Sequence, residues 1–290
     1  MKKLKLAFTD THQHLAVFFA NLLQTRYDLE IVEKDPDFLI FGDTNFGTNN
    51  KHYSKDKVIK IFYTGENQRP EDYDCHYAIS FDHNYEGWHY RLPLFVVYMW
   101  AWKHIHNMPY QMDYVLGDIH KNKKDSFCSF VVSNSNCAER NTFFHKLNPL
   151  KKIDSGGKLF NNTGKTLVGE QEKIDFLSTR KFNICFEPFS HPGYVTEKIM
   201  HAFYAGTVPI YWGSPTIASD FNPKSFINVH DFKDFDEAVE FILKVDKDDK
   251  LYEEYLNAPK FINNLPPSYL ILDNFLNWFD AVVYNKIMQR

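Results

Sequence analysis

Short apolar runs alternate with helical or polar segments through the first part of the chain. Runs that predict buried strands are LKLAF, DFLIF, VIKIFY and YAISF, at residues 4–8, 37–41, 58–63 and 77–81. A helical pattern near residues 12–24 separates the first two runs. This alternation predicts a doubly wound α/β sheet.

The pattern starts again after the polar stretch GDIHKNKKDS at 117–126, which indicates a domain boundary. Further strands are predicted at 127–133, 181–187, 207–212 and 225–229. Helices are predicted within SNSNCAERNTFFHKL and over YVTEKIMHAFYAG, the second ending at Gly206. Two α/β units in series imply a cleft, with ligands at the carboxyl ends of strands.

The last segment contains a helical pattern after two prolines, with apolar residues spaced to form one face. We predict that it packs back on the N-terminal domain. The predicted organisation is therefore an N-terminal domain over 1–120, a second domain over 121–262 and a C-terminal helix within 263–290.

Composition narrows the class of protein. The 290 residues are 44% hydrophobic and carry a formal net charge of −4, so no overall field favours nucleic acid or an anionic membrane. Four scattered cysteines lack zinc-site spacing and predict buried thiols in a reducing compartment. No apolar run is long enough for a signal peptide or membrane anchor. We expect a cytoplasmic protein, or one peripheral at the inner face of the cytoplasmic membrane, and leave its oligomeric state open.

Candidate chemistry concentrates in FEPFSHPGYVTEKIMHAFYAGTVPIYWGSP, residues 186–215. Glu197 and Lys198 stand side by side near the predicted helix start. Backbone N–H groups at a helix start favour anions, and Lys198 adds a cation suited to a phosphate or diphosphate. Glu197 can accept hydrogen bonds from ribose hydroxyls. The three letters TEK alone are more often an ordinary capped helix.

The longer string is more specific. PGYVTEK, then AGTVPIYWGSP and DFNPKSFINVHDF, resembles the donor-binding signature of the α1,3/α1,4-fucosyltransferases of glycosyltransferase family 10, especially the bacterial members. A looser similarity extends through FYTGENQRPEDYDCHYAISFD and covers most of residues 58–240. The resemblance implies a GT-B fold, with two Rossmann-like domains facing across a cleft. It also implies inverting transfer of L-fucose from GDP-β-L-fucose to a sugar hydroxyl.

The acceptor implied by this resemblance is a glycan of the N-acetyllactosamine or lactose type. Fucose would be attached to the 3-hydroxyl of GlcNAc or Glc, as in Lewis-antigen synthesis on a surface glycan or glycolipid. The sequence leaves the choice between α1,3 and α1,4 transfer open, and the bacterial relatives favour α1,3.

The resemblance also assigns roles in donor binding. Lys198 and Arg140 are expected to bind the diphosphate and stabilise the charge that develops as GDP leaves. Glu197 is expected to hold the ribose, and Tyr194 to pack on or hydrogen-bond to the nucleoside. Gly193 and Thr196 are supporting residues in the same segment.

Inversion requires a general base for the acceptor hydroxyl. Glu66 is our candidate because it follows the predicted strand VIKIFY, with Asn67 helping to orient it. Glu187 also ends a predicted strand, and we assign it to positioning fucose or stabilising oxocarbenium charge. Pro188 stands where the family commonly has asparagine; proline has neither an N–H nor a side-chain amide, so it cannot reproduce a donor contact made through either group.

No acidic pair lies beside the TEK segment, so we predict no obligatory metal, while a stimulatory divalent cation stays open. The His12/His14 and His104/His106 pairs are interpreted as polar surface. Two alternatives remain. One is a related GT-B transferase that uses another nucleotide sugar. The other is a catalytically silent nucleotide- or carbohydrate-binding protein.

Overall fold

A computed structural model of the chain describes residues 1–83, 87–106 and 122–289. It divides into two units. The first unit comprises Met1–Ile105 with Pro266–Arg290, and the second comprises His106–Leu265. The boundary predicted after residue 120 lies outside the described residues. The second boundary was predicted after residue 262, and the second unit ends at Leu265.

The first unit contains a six-stranded parallel sheet in the order β2-β1-β3-β4-β5-β6. Its strands are β1 Lys2–Thr9, β2 Tyr27–Ile31, β3 Phe38–Phe41, β4 Ile59–Tyr63, β5 Tyr77–Ser80 and β6 His89–Arg91. The described residues of Met1–Ile105 also form helices α1 Gln13–Gln24 and α2 Leu94–His104. Every residue of β3 and β4 is buried, as expected for inner strands of a parallel sheet covered on both faces.

The second unit contains a five-stranded parallel sheet in the order β11-β10-β9-β7-β8. Its strands are β7 Ser126–Phe130, β8 Ile153–Ser155, β9 Arg180–Phe186, β10 Val208–Trp212 and β11 Ile227–Asn228. Its helices are α3 Ala138–Leu147, α4 Glu170–Ser178, α5 Lys198–Tyr204, α6 Phe235–Lys247 and α7 Asp249–Asn257. The apolar faces of α3, α6 and α7 pack with the strands in one core that includes Phe130, Phe143 and Phe186.

The C-terminal segment forms helix α8 Leu272–Trp278, followed by a π-helical turn Phe279–Val283 and a 3₁₀ turn Tyr284–Gln289. It contacts the first strands of the first unit. The Asp280 carboxylate accepts hydrogen bonds from Lys2 Nζ at 2.6 Å and from the Tyr27 hydroxyl at 3.0 Å. Aromatic side chains of the segment also pack on Phe19 and Tyr27.

Shorter 3₁₀ turns connect these elements, at Asn49–His52, Pro70–Asp72, Ile217–Ser219, Pro223–Ser225, Val229–Asp231, Ile262–Asn264 and Ser268–Leu270. Within the described ranges, no helix is both long and apolar enough to cross a bilayer.

Each sheet has a point at which the chain reverses its direction of travel across the strands. In the first unit β2 and β3 lie on opposite sides of β1, and in the second β8 and β9 lie on opposite sides of β7. The loops that leave the carboxyl ends of adjacent strands diverge there, which is where open α/β sheets bind ligands. Ligand sites are therefore expected in the loops after β1 and β3 of the first sheet, and after β7 and β9 of the second.

Candidate active site

Glu187 directly follows β9 and is completely buried. Its Oε1 accepts a hydrogen bond from Thr196 N at 2.7 Å, and its Oε2 accepts one from Thr196 Oγ1 at 2.7 Å and one from Lys198 Nζ at 3.1 Å. The Lys198 side chain keeps 24% of its surface exposed. A buried carboxylate thus holds a partly exposed cation at the carboxyl edge of the second sheet.

The loop after β10 closes over this carboxylate. A Cβ atom at Gly213 would lie 2.5 Å from Glu187 Cγ, so no larger residue fits there without displacement. Ser214 Oγ and Thr216 Oγ1 accept hydrogen bonds from Gly193 N at 2.9 and 3.0 Å. Gly213, Ser214 and Thr216 were not among the predicted site residues, although Gly213 and Ser214 lie in the same quoted segment, which ends one residue before Thr216.

Helix α5 begins later than the sequence pattern predicted. The helix was predicted over YVTEKIMHAFYAG, whereas in the structure Glu197 is its N-cap residue and Lys198 its first helical residue. Just before this helix, Glu187 accepts hydrogen bonds from both the N–H and the hydroxyl of Thr196. Because α5 has only seven residues, side-chain cations rather than a helix end supply the positive charge here.

The Glu197 carboxylate interacts with two lysines, Lys198 and Lys173. Its Oε1 lies 3.9 Å from Lys198 Nζ, and only 15% of its side chain is exposed. Burial alone would raise the pKa of Glu197, but Lys198 and Lys173 outweigh it and lower that pKa to about 2. Burial acts in turn to lower the pKa of Lys198, yet Glu187 and Glu197 prevail and raise it. Both groups are therefore ionised at neutral pH.

A second chain of polar groups lies behind Glu197 and joins α4 to α5. Lys173 Nζ is 3.0 Å from His201 Nδ1, and His201 Nε2 is 2.5 Å from Glu170 Oε2. Burial, assisted by Lys173, lowers the pKa of His201 to about 4. A neutral imidazole with its proton on Nε2 satisfies both contacts, since it accepts from Lys173 and donates to Glu170. Glu170, Lys173 and His201 were not among the predicted site residues.

Arg140 lies in the first turn of α3, after β7, and is 2% exposed. Its Nη2 donates to Asn134 O at 2.5 Å, while its Nε is buried and has no hydrogen-bond partner among the described residues. Burial lowers the pKa of Arg140, against the opposing effect of Cys137 and Glu187. The guanidinium therefore retains an unused donor in the region of Glu187.

The loop between Glu187 and Glu197 carries two aromatic rings with different exposure. Tyr194 is 1% exposed, and its backbone N donates to His191 O at 3.1 Å. Phe189, whose ring centroid lies 6.5 Å from that of Tyr194, is 50% exposed. Of these two rings, that of Phe189 is available to a ligand, while Tyr194 packs inside.

Glu66 and Asn67 lie in the first unit, in the loop after β4. Glu66 is exposed, and its backbone N donates to Thr64 Oγ1 at 3.0 Å. The Asn67 side chain accepts a hydrogen bond from Arg69, which is ion-paired with the buried Asp82. The structure thus groups the predicted donor residues in the second unit and the predicted base with its neighbour at the carboxyl edge of the first sheet.

Sequence comparison covers both units. The description "Alpha-(1,3)-fucosyltransferase FucT N-terminal domain" matches residues 5–98, and "Glycosyltransferase family 10 (fucosyltransferase) C-term" matches residues 120–264. The chain belongs to glycosyltransferase family 10.

This family 10 chain is 36% identical to the alpha-(1,3)-fucosyltransferase FucT of Helicobacter pylori over 276 residues, which cover 82% of this chain and 56% of that protein. It is also 36% identical to 4-galactosyl-N-acetylglucosaminide 3-alpha-L-fucosyltransferase 9 of Mus musculus over 147 residues, which cover 49% of this chain and 40% of that protein. The chain therefore spans about half the length of the curated relatives it matches.

Solved structures of an alpha1,3-fucosyltransferase share the fold. One superposes with a TM-score of 0.82 at 30% identity and covers 98% of this chain and 91% of that chain. Another, described as a complex with GDP-fucose, has a TM-score of 0.75 at 31% identity, with 97% and 90% covered. The predicted α/β class, with two Rossmann-like units of the GT-B type, is confirmed for this family 10 chain.

Proposed function

We propose that this chain is an inverting α1,3-fucosyltransferase. It moves L-fucose from GDP-β-L-fucose to the 3-hydroxyl of GlcNAc or Glc in an N-acetyllactosamine- or lactose-type acceptor. The observation that carries the proposal is the buried Glu187 holding Lys198, with Arg140 nearby, at the carboxyl edge of the second sheet. Relatives described as fucosyltransferases, one of them in complex with GDP-fucose, support this donor.

Donor recognition follows from the charges. The partly exposed Lys198 ammonium and the unused Nε donor of Arg140 suit the two phosphates, where negative charge grows as the bond to fucose breaks. Glu197 stays anionic at neutral pH, so it suits the acceptance of hydrogen bonds from the ribose hydroxyls. Groups that bind more strongly as charge develops lower the barrier rather than only the KM.

Glu187 takes a different part from the one expected of it. Both of its oxygens are engaged by Thr196 and Lys198, and none of its surface is exposed. These contacts support a positioning role, in which Glu187 fixes the Lys198 ammonium. They do not favour direct contact with fucose.

Transfer proceeds by direct displacement with Glu66 as general base. The acceptor hydroxyl gives its proton to the Glu66 carboxylate while its oxygen forms a bond to the anomeric carbon of fucose. The bond between that carbon and the β-phosphate oxygen breaks on the opposite face, and GDP leaves with the electron pair. Exposure of Glu66 at the end of β4 supports this assignment.

The chemistry requires no obligatory divalent metal, because Lys198 and Arg140 supply positive charge for the diphosphate. We also propose that the protein works in a reducing compartment, as a cytoplasmic or membrane-peripheral enzyme of surface-glycan synthesis. Its four cysteines are free thiols, which supports a cytoplasmic location.

Two variants test the donor and base assignments separately. Glu66→Gln should retain GDP affinity in calorimetry while turnover of GDP-fucose with N-acetyllactosamine falls at least about a hundredfold. Lys198→Ala should weaken GDP binding. Matched controls are Glu30→Gln and Lys224→Ala, which alter exposed residues of the first and second unit.

Unchanged turnover in Glu66→Gln would remove Glu66 as the base, and unchanged GDP affinity in Lys198→Ala would remove the phosphate contact. Competition among GDP-fucose, GDP-mannose and UDP-sugars separates the proposal from a transferase of another nucleotide sugar. Binding of GDP-fucose without any turnover in the wild type would instead favour a silent binding protein.

A further inference from the structure

Three aromatic side chains meet at the carboxyl edge of the first sheet, and we call His12, His14 and Phe46 the aromatic platform. The His12 ring lies 4.8 Å from that of His14 and 6.4 Å from that of Phe46, both edge-on, measured between centroids. Phe46 is 49% exposed and His12 is also exposed, while His14 is half-buried. An exposed ring beside two imidazoles is a surface that the fold does not require for its own core.

The platform is held in place rather than carried on loose loops. The buried Asp10 carboxylate, just after β1, accepts hydrogen bonds from Asn49 N at 2.9 Å and from Asn50 N at 2.7 Å. It therefore pins the loop after β3 to the end of β1. A Cβ at Gly42 would lie 2.3 Å from Asp10 O, and one at Gly47 would lie 2.6 Å from Asp10 Oδ1, so both loops approach as closely as glycine permits.

The same hydrogen bonding continues to Glu66. Asp43, which follows β3 after one residue, accepts from Thr64 Oγ1 at 3.0 Å, and Thr64 Oγ1 in turn accepts from Glu66 N. The strands that carry these loops, β1, β3 and β4, are neighbours in the sheet. At about 4.8 Å between strands, the ends of β1 and β4 are about 10 Å apart, a span that one oligosaccharide can bridge.

We propose that the aromatic platform is the subsite for a neutral pyranose ring of the acceptor glycan. The apolar face of the sugar packs on Phe46, and the imidazoles exchange hydrogen bonds with its hydroxyls. This inference rests on the proposed function, since the acceptor must bring a hydroxyl to Glu66. No group of three or more metal-ligating side chains was found in the described part of the chain, so nothing there supports a metal site at the two histidines.

The contacts also argue against an anion site at the start of α1. His12 Nδ1 accepts a hydrogen bond from His14 N at 3.2 Å and thereby caps this helix with its own side chain. A neutral ligand with alternating apolar and hydroxyl faces fits the platform better than a phosphate does.

The test compares Phe46→Ala and Phe46→Trp with Ile31→Ala, which removes an equally exposed apolar side chain from β2 of the same unit. Phe46→Ala should raise the KM for N-acetyllactosamine about tenfold, which corresponds to about 1.4 kcal/mol. The KM for GDP-fucose and its acceptor-independent hydrolysis should not change. Phe46→Trp keeps an aromatic ring and should have the same acceptor KM as the wild type. Ile31→Ala should leave the KM for N-acetyllactosamine and the KM for GDP-fucose as in the wild type.

An unchanged acceptor KM in Phe46→Ala overturns the inference, and so does an equal rise in both KM values, which would mark a structural defect. A wild-type protein that uses no GDP-fucose would refute the proposed function alone. The platform is then judged by titrating N-acetyllactosamine into the wild type and Phe46→Ala and following the imidazole NMR signals. Shifts present in the wild type and lost in the variant support the subsite, and their absence from the wild type overturns it.

Discussion

Lowering the pH should destabilise the second unit through one buried histidine. His201 is 1% exposed and lies between Lys173 and Glu170, and its pKa is lowered to about 4 from the ordinary value of 6.5. Because the unfolded chain binds this proton more readily, the stabilising contribution is complete above pH 6.5. It is lost progressively as the pH falls from 6.5 towards 4.

The size of the effect follows from the two pKa values. A difference of roughly 2.5 units corresponds to roughly 3 kcal/mol when the pH lies below both values. At pH 5 the linkage relation gives about 2 kcal/mol, and at pH 7.5 it gives close to zero. Burial is the main physical origin of the penalty, and protonation adds to it by placing a new N–H of His201 against the Lys173 amino group.

The assay is urea unfolding of the wild type and His201→Gln at pH 7.5 and pH 5. Glutamine does not titrate, so the wild type should lose about 2 kcal/mol more than the variant between the two conditions. His145→Gln, which alters an exposed histidine of the same unit, should behave as the wild type does. The reasoning would be refuted if the wild type and His201→Gln lost equal free energy of unfolding between pH 7.5 and pH 5. An NMR titration of His201 near pH 6.5 would also refute it.

Two further outcomes follow from the site. Glu187→Gln removes the carboxylate that holds Lys198, and loss of one partner of a buried ion pair costs about 3 kcal/mol or more, so the thermal unfolding midpoint should fall and GDP binding should weaken. A variant with wild-type melting and affinity would contradict the role assigned to Glu187. Turnover should survive dialysis against EDTA, because protein cations neutralise the diphosphate; activity lost in EDTA and restored by Mn²⁺ would show that a metal is needed.

Most of the strands that the sequence predicted are inner strands of the two parallel sheets. Each residue of β4 lies between covered faces of a parallel sheet, so VIKIFY is apolar except at Lys60, whose buried side chain is ion-paired with Asp74. The missed strands are edge or short elements. In β2 only Tyr27 is buried, and β6 and β8 have three residues each, too few for a periodic signal.

The site was harder to predict because its geometry depends on contacts between distant segments. Thr196, just before α5, is bonded to Glu187, nine residues away, and no local helix pattern contains this contact. Lys173 and His201 are 28 residues apart on two helices, and neither neighbourhood has a recognisable motif. The sequence could name charged candidates from a resemblance, but burial and pairing decide what each carboxylate can do.

The division of the chain has a consequence for synthesis on the ribosome. Residues 266–290 complete the first unit, so the ribosome synthesises all of the second unit before this last segment of the first unit emerges. The aromatic neighbours of Phe19 and Tyr27 are Phe275 and Phe279, which lie in this last segment. The contact between Lys2 and Asp280 likewise joins residues 278 positions apart. Nascent chains should therefore expose the apolar surface around Phe19 and Tyr27 until residues 266–290 have emerged, which makes this region a client for chaperones.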